Sequence, residues 1–363
     1  MSSDVVRLLK IGDFAQVKGG KRMPAGTALT AEKTRHPYLR IVDFKDGSID
    51  KSNLQYVPDE VFPSIARYII DSDDLYISIV GTIGLVGKVP VELSGANLTE
   101  NAAKICQIDS TVINRDYLGY FLRSEMGQGA ISSMTVGSTQ PKLALFRIEQ
   151  IEVPCPALDI QESIVGVLNA LDDRITLLRE TNTTLEAIAQ ALFKSWFVDF
   201  DPVHAKMQGR APEGMDEATA ALFPDSFEDS ELGPVPKGWS IGSMSDLCVI
   251  ASGKRPTNRS DLPSDNCNIP LYGGAGLMGY TTESLFDDKK IVTGRVGTLG
   301  RVHVAYPPCW ASDNVLVLSP RDENFFSFSL EWLRGIDVHA LNRGSTQPLL
   351  TQKDLGAQTG LIP

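Results

Sequence analysis

Four short blocks occur twice in this sequence, in the same order. Gly19-Gly20-Lys21-Arg22 returns as Ser252-Gly253-Lys254-Arg255, and Ile79-Val80-Gly81-Thr82-Ile83-Gly84 returns as Arg295-Val296-Gly297-Thr298-Leu299-Gly300. Asn101 ahead of Ala102-Ala103-Lys104-Ile105 is answered by Asn314 ahead of Val315-Leu316-Val317-Leu318. Gly137-Ser138-Thr139-Gln140-Pro141 recurs as Gly344-Ser345-Thr346-Gln347-Pro348. The offset drifts from 233 at the first block to 207 at the last. Chance similarity does not keep order over four blocks, so the chain reads as two copies of one domain that differ in loop length.

Between the copies lies a stretch of a different kind. From Ile164 to Trp196, apolar residues fall at spacings of four and three. Leu168, Ile175, Asn182, Ala189 and Trp196 make one row, and Ile164, Leu171, Leu178, Leu185 and Leu192 the other. That is a heptad seam, and its one polar member, Asn182, is the kind of residue that sets register and partner number. Pro154 and Pro156 close the preceding segment, and Asp159 and Glu162 suit the start of a helix dipole. The expectation is one helix over 157–200, a spacer some 60 Å long at 1.5 Å per residue that packs on another helix.

The division expected is 1–156 for the first globule, 157–200 for the spacer, 201–238 for an acidic extended connector, and 239–363 for the second globule. The connector is punctuated by proline and glycine, with one short helix expected from Asp216 to Leu222. Within each copy, Asp74 to Val80 with Leu85 to Val89, and Lys290 to Val292 with Arg301 to Ala305, read as strand pairs around the Gly-Thr-x-Gly turn. Asn114 to about Gln128 and Phe328 to Leu341 read as helices. Each globule is α/β or α+β, and the fold class is two repeated globules joined by a long coiled-coil-type helix.

Charge has to be read locally. The 363 residues carry a formal charge of −11, which argues against an acidic partner. Residues 157–238, however, hold 6 Lys and Arg against 15 Asp and Glu, and the flanks are within one charge of neutral. Either globule can therefore gather its cations on one face. No apolar run reaches a membrane span, and the stretch from Met1 to Phe14 lacks the pattern of a secretion signal. The five cysteines form no CxxC pair, and His36, His204, His303 and His339 sit in unrelated contexts. A metal site is not expected, and a reducing cytoplasmic setting is.

Two strings resemble catalytic motifs and fail on particulars. Gly84-Leu85-Val86-Gly87-Lys88 resembles a phosphate loop, but Thr82 stands where the first glycine is needed and Val89 where Ser or Thr is needed. Tyr306-Pro307-Pro308-Cys309-Trp310 resembles an amino-methyltransferase signature, but lacks the Asn or Asp before the prolines and an aromatic directly after them. No catalytic residue is assigned. The repeated blocks offer binding chemistry instead. Lys21, Arg22, Lys254 and Arg255 follow a glycine in loops able to meet phosphates or a guanine edge, or they are solvated charges. Arg295, with Thr82 and Thr298 in the Gly-Thr-x-Gly turns, adds further candidates. Gln140 and Gln347 can pair with adenine, or their strings can cap the helix that follows.

Two divergent copies, each closed by Gly-Ser-Thr-Gln-Pro and separated by such a helix, resemble the specificity (S) subunit of a Type I restriction-modification system. Gln161-Glu162, Leu171-Asp172-Asp173-Arg174-Ile175, Asn182 and Leu185-Glu186 are similar to that family's central helix. Phe197 to Pro202, Leu222 to Phe227, Glu231 to Gly233 and Pro236 to Trp239 match it as well. The resemblance implies a non-catalytic subunit whose two target recognition domains read the halves of an interrupted double-stranded DNA site. It implies two modification subunits that carry S-adenosylmethionine and methylate adenine, and restriction subunits that use ATP and magnesium; this chain holds none of these cofactors. Family members carry a second, antiparallel helix after the second globule. The sequence given stops at Pro363, so the seam is expected to be open. A trimmed chain, an interrupted gene, self-association through the helix, or a partner helix supplied in trans would each account for that. Two other classes stay open: a nucleotide- or sugar-binding enzyme built on the Gly-Thr-x-Gly turns, and a coiled-coil scaffold.

Overall fold

A computed structural model of the chain describes residues 6–45, 47–137, 141–230 and 233–363. They fall into two compact units, Met1–Leu178 and Arg179–Pro363.

The first unit is built on a four-stranded antiparallel sheet in the order Gln16–Gly19, Ala102–Cys106, Leu75–Ser78, Val86–Lys88. Leu75 to Ser78 is buried at every position, so the strand is apolar on both faces rather than alternating. One face holds Ile77, Val86, Ala103 and Ile105 against Leu118, Leu122 and Ile131. The other faces a smaller sheet, in which Pro37–Leu39 runs parallel to Ala96–Leu98. Arg7–Lys10 pairs with Glu152–Cys155 at the base.

The second unit repeats this plan. Cys248–Ser252, Val315–Pro320, Lys290–Gly294 and Val302–Ala305 form an antiparallel sheet with the same order of connection. Ile269–Gly273 runs parallel to Trp310–Ala311 in the accessory sheet, and Ser240–Ser243 pairs with Thr359–Ile362 at the base. The expected strand pairs and the mixed αβ class are thus present in both copies.

Where the sequence reading expects one helix from Asn114 to Gln128, two short helices stand. Arg115–Arg123 is capped by the Asn114 side chain, and Glu125–Met134 by Ser124. Ser124 competes for the backbone and starts a new helix rather than continuing the old one. The second turn then packs so closely that a Cβ on Gly127 would stand 2.1 Å from the Phe121 carbonyl oxygen. In the second copy the helix spans Phe326–Gly335.

The spacer is one 40-residue helix, Leu158–Phe197. Its root is fixed by Gln161, which is fully buried. The Gln161 Oε1 accepts from the Asn114 amide at 2.8 Å, and its Nε2 donates to the Pro156 and Val112 carbonyls at 2.8 and 3.2 Å. One turn after Val165 packs into the core, the Tyr120 hydroxyl lies 2.8 Å from both the Asn169 side chain and the Asp172 carboxylate, to which it donates its one proton. Burial, then the bond to the Asp172 carboxylate, pushes the Tyr120 phenol up to about 12. Beyond this the seam is open, with Leu171, Leu178 and Leu185 about half exposed. Trp196 departs from the seam reading. It is half buried, edge-on to Phe223 at 5.9 Å, because the following segment folds back onto the helix end.

That segment corrects the expectation of an extended connector over 201–238. Asp201–Met207 is helical, with Pro202 in the first turn. Glu217–Ala221 is a helix capped by Asp216, and Phe227–Ser230 pairs with Gly233–Pro236. Val203, Phe223 and Trp239 form the centre of an aromatic cluster with Phe197, Phe200 and Phe227. The proline and glycine content signals turns, but the apolar residues between them are enough to bury a small core.

Candidate nucleic-acid interface

The repeated blocks meet in the same backbone junctions in both units. After the strand Gln16–Gly19, the Gly20 amide donates to the Ala102 carbonyl and the Lys21 amide to that of Leu98; Gly253 donates to Val315 and Lys254 to Ala311 in the same way. The approach demands glycine. A Cβ on Gly20 would stand 2.1 Å from the Thr99 carbonyl oxygen, and one on Gly253 would stand 2.2 Å from that of Ser312. A buried aromatic from the accessory sheet then holds the next carbonyl, though from different strands. The Tyr38 hydroxyl donates to Lys21 at 2.8 Å, and Trp310 Nε1 donates to Lys254 at 2.6 Å.

A second junction joins the Gly-Thr-x-Gly turn to the loop that closes each copy. Asn101 accepts from the amides of Ile79 and Val80, as Asn314 accepts from Arg295 and Val296. Val80 bridges to Lys142, and Val296 to Leu349. The turn glycines, Gly81 and Gly84 in one copy and Gly297 and Gly300 in the other, all have φ between 78° and 88°, which explains their recurrence. Backbone geometry thus accounts for Gly20, Gly253 and the four turn glycines, whereas a Cβ on Gly19, which Ser252 answers, would meet only the Leu145 side chain, at 3.6 Å.

The candidate side chains fall out as follows. Lys21 is exposed, with its Nζ 5.7 Å over the Tyr68 ring. Arg22 is exposed and ion-paired to Glu100 at 2.6 Å, so its charge is matched within the unit. Lys254 and Arg255 are exposed, and among the described residues neither forms an ion pair. Arg295 is half-buried and likewise without an ion pair among the described residues, its amide and carbonyl being held by Asn314 and Leu350. Thr82 and Thr298 are exposed at the turn tips. Gln347 is exposed, and its Nε2 lies 3.9 Å from where a Cβ on Gly297 would stand, which brings Gln347 and the turn together. Gln140, with Ser138 and Thr139, lies outside the described residues.

The capping alternative for the Ser-Thr-Gln strings fails in the second copy. The helix that follows, Gln352–Gly356, is capped by Thr351, whose Oγ1 accepts from the Asp354 amide at 3.0 Å. In the first copy the helix Leu145–Ile148 has Ala144 at its cap and no side-chain bond there.

Sequence reasoning passed over residues that hold or surround these junctions. Gln128 Nε2 donates to the Gly84 carbonyl at 2.9 Å, and in the second copy His339 Nε2 sits 2.9 Å from where a Cβ on Gly300 would be. Lys18, Arg67 and Tyr68 flank Lys21, and a pattern of lone cations outside any repeat gave no signal for them. No cluster of His, Cys, Asp and Glu among the described residues is arranged to hold a metal ion. No helix among them is long and apolar enough to cross a membrane.

Residues 5–187 and 236–360 match the family model described as the Type I restriction modification DNA specificity domain. The chain belongs to this family. Its match to the HindI specificity subunit of Haemophilus influenzae is 28% identical over 246 residues, 52% of this chain and 53% of that protein. The MjaIX specificity subunit of Methanocaldococcus jannaschii is 26% identical over an alignment of 386 residues, 98% of this chain and 82% of that protein. Thus the chain matches about half the length of one relative and most of the other. The solved structure of the Type I restriction-modification S subunit from M. genitalium superimposes with a TM-score of 0.50 at 15% identity, over 100% of this chain and 86% of that one, a likeness of fold. Membership assigns DNA sequence recognition to the chain. Neither the nucleotide- or sugar-binding reading nor the scaffold reading gains support.

Proposed function

We propose that the two copies are target recognition domains that each read one half of an interrupted, asymmetric double-stranded DNA site. The observation that carries this reading is the pair of junctions: the same backbone bonds in both units, bearing different side chains. Arg295 stands where the first copy has Ile79, and His339 takes the place beside the turn that Gln128 takes in the first copy. A shared scaffold with unlike side chains is what two readers of different sequences require. Lys21, Lys254, Arg255 and Arg295 supply phosphate or guanine contacts, and Thr82, Thr298, Gln140 and Gln347 supply hydrogen bonds to base edges. Arg22, matched by Glu100, contributes less.

In this reading the central helix sets the gap between half-sites, and the domains divide at 1–156, 157–200, 201–238 and 239–363. The open seam and the acidic segment after it serve protein partners, since DNA is repelled there. Those partners are two modification subunits, with restriction subunits recruited to them. S-adenosylmethionine, ATP and magnesium belong to these subunits, and adenine leaves the duplex to be methylated in the modification subunit's pocket. Self-association through the seam is the second mode of covering it. The setting is cytoplasmic. Reconstitution with the modification subunits tests the reading: methylation should map to one bipartite sequence. Exchange of residues 1–150 for those of another family member should change only one half of it; a change in both halves, or in neither, refutes the assignment.

A further inference from the structure

In the first unit, a hollow of about 410 Å³ lies beside the strand Gln16–Gly19, lined by Lys18, Gly19, Arg67, Tyr68, Lys104 and Leu145 among others. Its charges break a rule of sheet design. Lys18 and Lys104 are directly opposite each other in the antiparallel pair of strands. Like charges so placed destabilise a sheet. Lys104 is compensated by Asp74 at 2.8 Å. Lys18 forms no ion pair among the described residues, and neither does Arg67 or Lys21.

Instead, the Arg67 guanidinium and the Lys21 ammonium both gather on Tyr68. The Arg67 carbon is 5.1 Å and Lys21 Nζ 5.7 Å from the ring centroid, and Arg67 Nη2 donates to the Tyr68 hydroxyl at 3.1 Å. Cation–π attraction fixes where two flexible cations sit without neutralising them. Two of the nearby acids are paired elsewhere, Asp74 with Lys104 and Glu100 with Arg22, and Asp71 forms no ion pair with the three cations among the described residues.

The second copy shows what this fold carries without the device. By the repeat offsets, Lys18 and Lys104 correspond to Ala251 and Val317, which face each other in the equivalent pair of strands. An alanine and a valine satisfy the sheet, and Lys104 is held by its ion pair with Asp74, so Lys18 is the lysine that folding does not require. Three uncompensated cations beside a hollow are an anion site, and the anion that the family's partner offers is the phosphodiester.

We propose that Lys18, Lys21 and Arg67, positioned by Tyr68, form a DNA phosphate-binding site in the first unit that the second unit lacks. The first half-site therefore gains a sequence-independent contact of its own, separate from those proposed for Lys254, Arg255 and Arg295 in the second, a consequence that rests on the DNA-reading function proposed above. Lys18→Ala installs the residue that the second copy carries, and Lys18→Gln with Arg67→Gln keeps the volumes should truncation disturb the fold. The full chain is titrated against a labelled mixed-sequence duplex of about 30 base pairs, over about 50 to 200 mM salt. Each lost phosphate contact lowers the slope of log affinity against log salt by about one, so the double variant should lose about two, alike on every duplex. Melting at low salt should show the Lys18 variants no less stable than the parent, since a repulsion has been removed.

A parent chain that binds with a steep slope, beside a double variant with the same slope and affinity, overturns the site and leaves the DNA reading intact. A parent chain with no salt-dependent DNA binding sinks the DNA reading and this site together. Loss of binding to one duplex sequence alone also overturns it, because that is base readout rather than a phosphate contact.

Discussion

Gln161→Leu should loosen the root of the central helix more than any change along its length. The substitution is close in volume but removes every polar atom. It leaves the Asn114 amide and the Val112 and Pro156 carbonyls without their partner, in a place from which water is excluded. Three hydrogen bonds at about 1 kcal/mol each, plus part of the cost of burying the orphaned groups, come to about 4 kcal/mol. Against a domain stability of about 5–15 kcal/mol that is a large fraction. In urea, with a slope of about 2 kcal/mol per molar, the midpoint for the first unit should fall by about 2 M. Amide exchange at Asn114 and along the first turns of the helix should quicken with it. Gln161→Glu sharpens the test. It keeps the acceptor for Asn114 but turns a carboxyl toward two carbonyl oxygens, so its folded pKa is raised. A group raised on folding contributes its stability below its unfolded pKa, near ~4.3, and loses it as pH rises through the folded value. The Gln161→Glu deficit should therefore be smallest near pH 4 and larger at neutrality. A Gln161→Leu midpoint within about 0.5 M of the parent would refute the claim that this residue anchors the helix.

Other expectations follow from the same contacts. Gly20→Ala and Gly253→Ala each put a methyl within about 2.2 Å of a backbone oxygen, so each should destabilise its own unit by about 3 kcal/mol or more, read as separate shifts in calorimetry. Tyr120 is held neutral, with a pKa raised to about 12, so its contribution is full below pH 10 and is lost as pH climbs through the folded value. Tyr120→Phe should lower stability at pH 7 by about 1–2 kcal/mol and flatten that alkaline limb. Leu178→Asp and Leu185→Asp alter exposed seam positions and should leave the melting temperature nearly unchanged. Any concentration-dependent association through the helix should vanish with them in sedimentation velocity; persistence of association would place it elsewhere.

The repeat, the strand pairs and the helical spacer were legible because each has a local periodicity or an ordered set of landmarks. The break at Ser124 was not, because a serine inside an apolar pattern reads as one more polar position until its side chain is seen to cap Gly127. The segment after the helix was misread for a related cause: proline and glycine mark turns, but only the fold shows that Val203, Phe223 and Trp239 converge between them. At the site, the Gly-Thr-x-Gly turns were legible, but the close backbone approach at Gly20 and Gly253 shows only in the fold. Side-chain roles were less legible. Lys21 and Arg22 are neighbours in sequence, yet one sits on Tyr68 and the other is tied to Glu100, a residue 78 positions away. Gln161 stands in a stretch quoted only for its family likeness, and nothing in its neighbours announces that its amide closes the root of the helix.

A protein that must read different sequences with one architecture has to separate the residues that build from the residues that read. The two copies show where that line falls. Residues that recur, Gly20 with Gly253, Asn101 with Asn314 and the turn glycines, are engaged through main-chain geometry, where no side chain of another kind would fit or where the backbone itself accepts the bond. The residues that differ, Ile79 against Arg295, Lys18 against Ala251 and Lys104 against Val317, occupy equivalent backbone positions whose hydrogen bonds do not depend on the side chain. Substitution there changes charge and shape, at the surface for Lys18 against Ala251 and within the packed sheet for Lys104 against Val317, and leaves the ladder intact. Recognition can therefore change without refolding, provided that the junctions which carry the glycines are left alone.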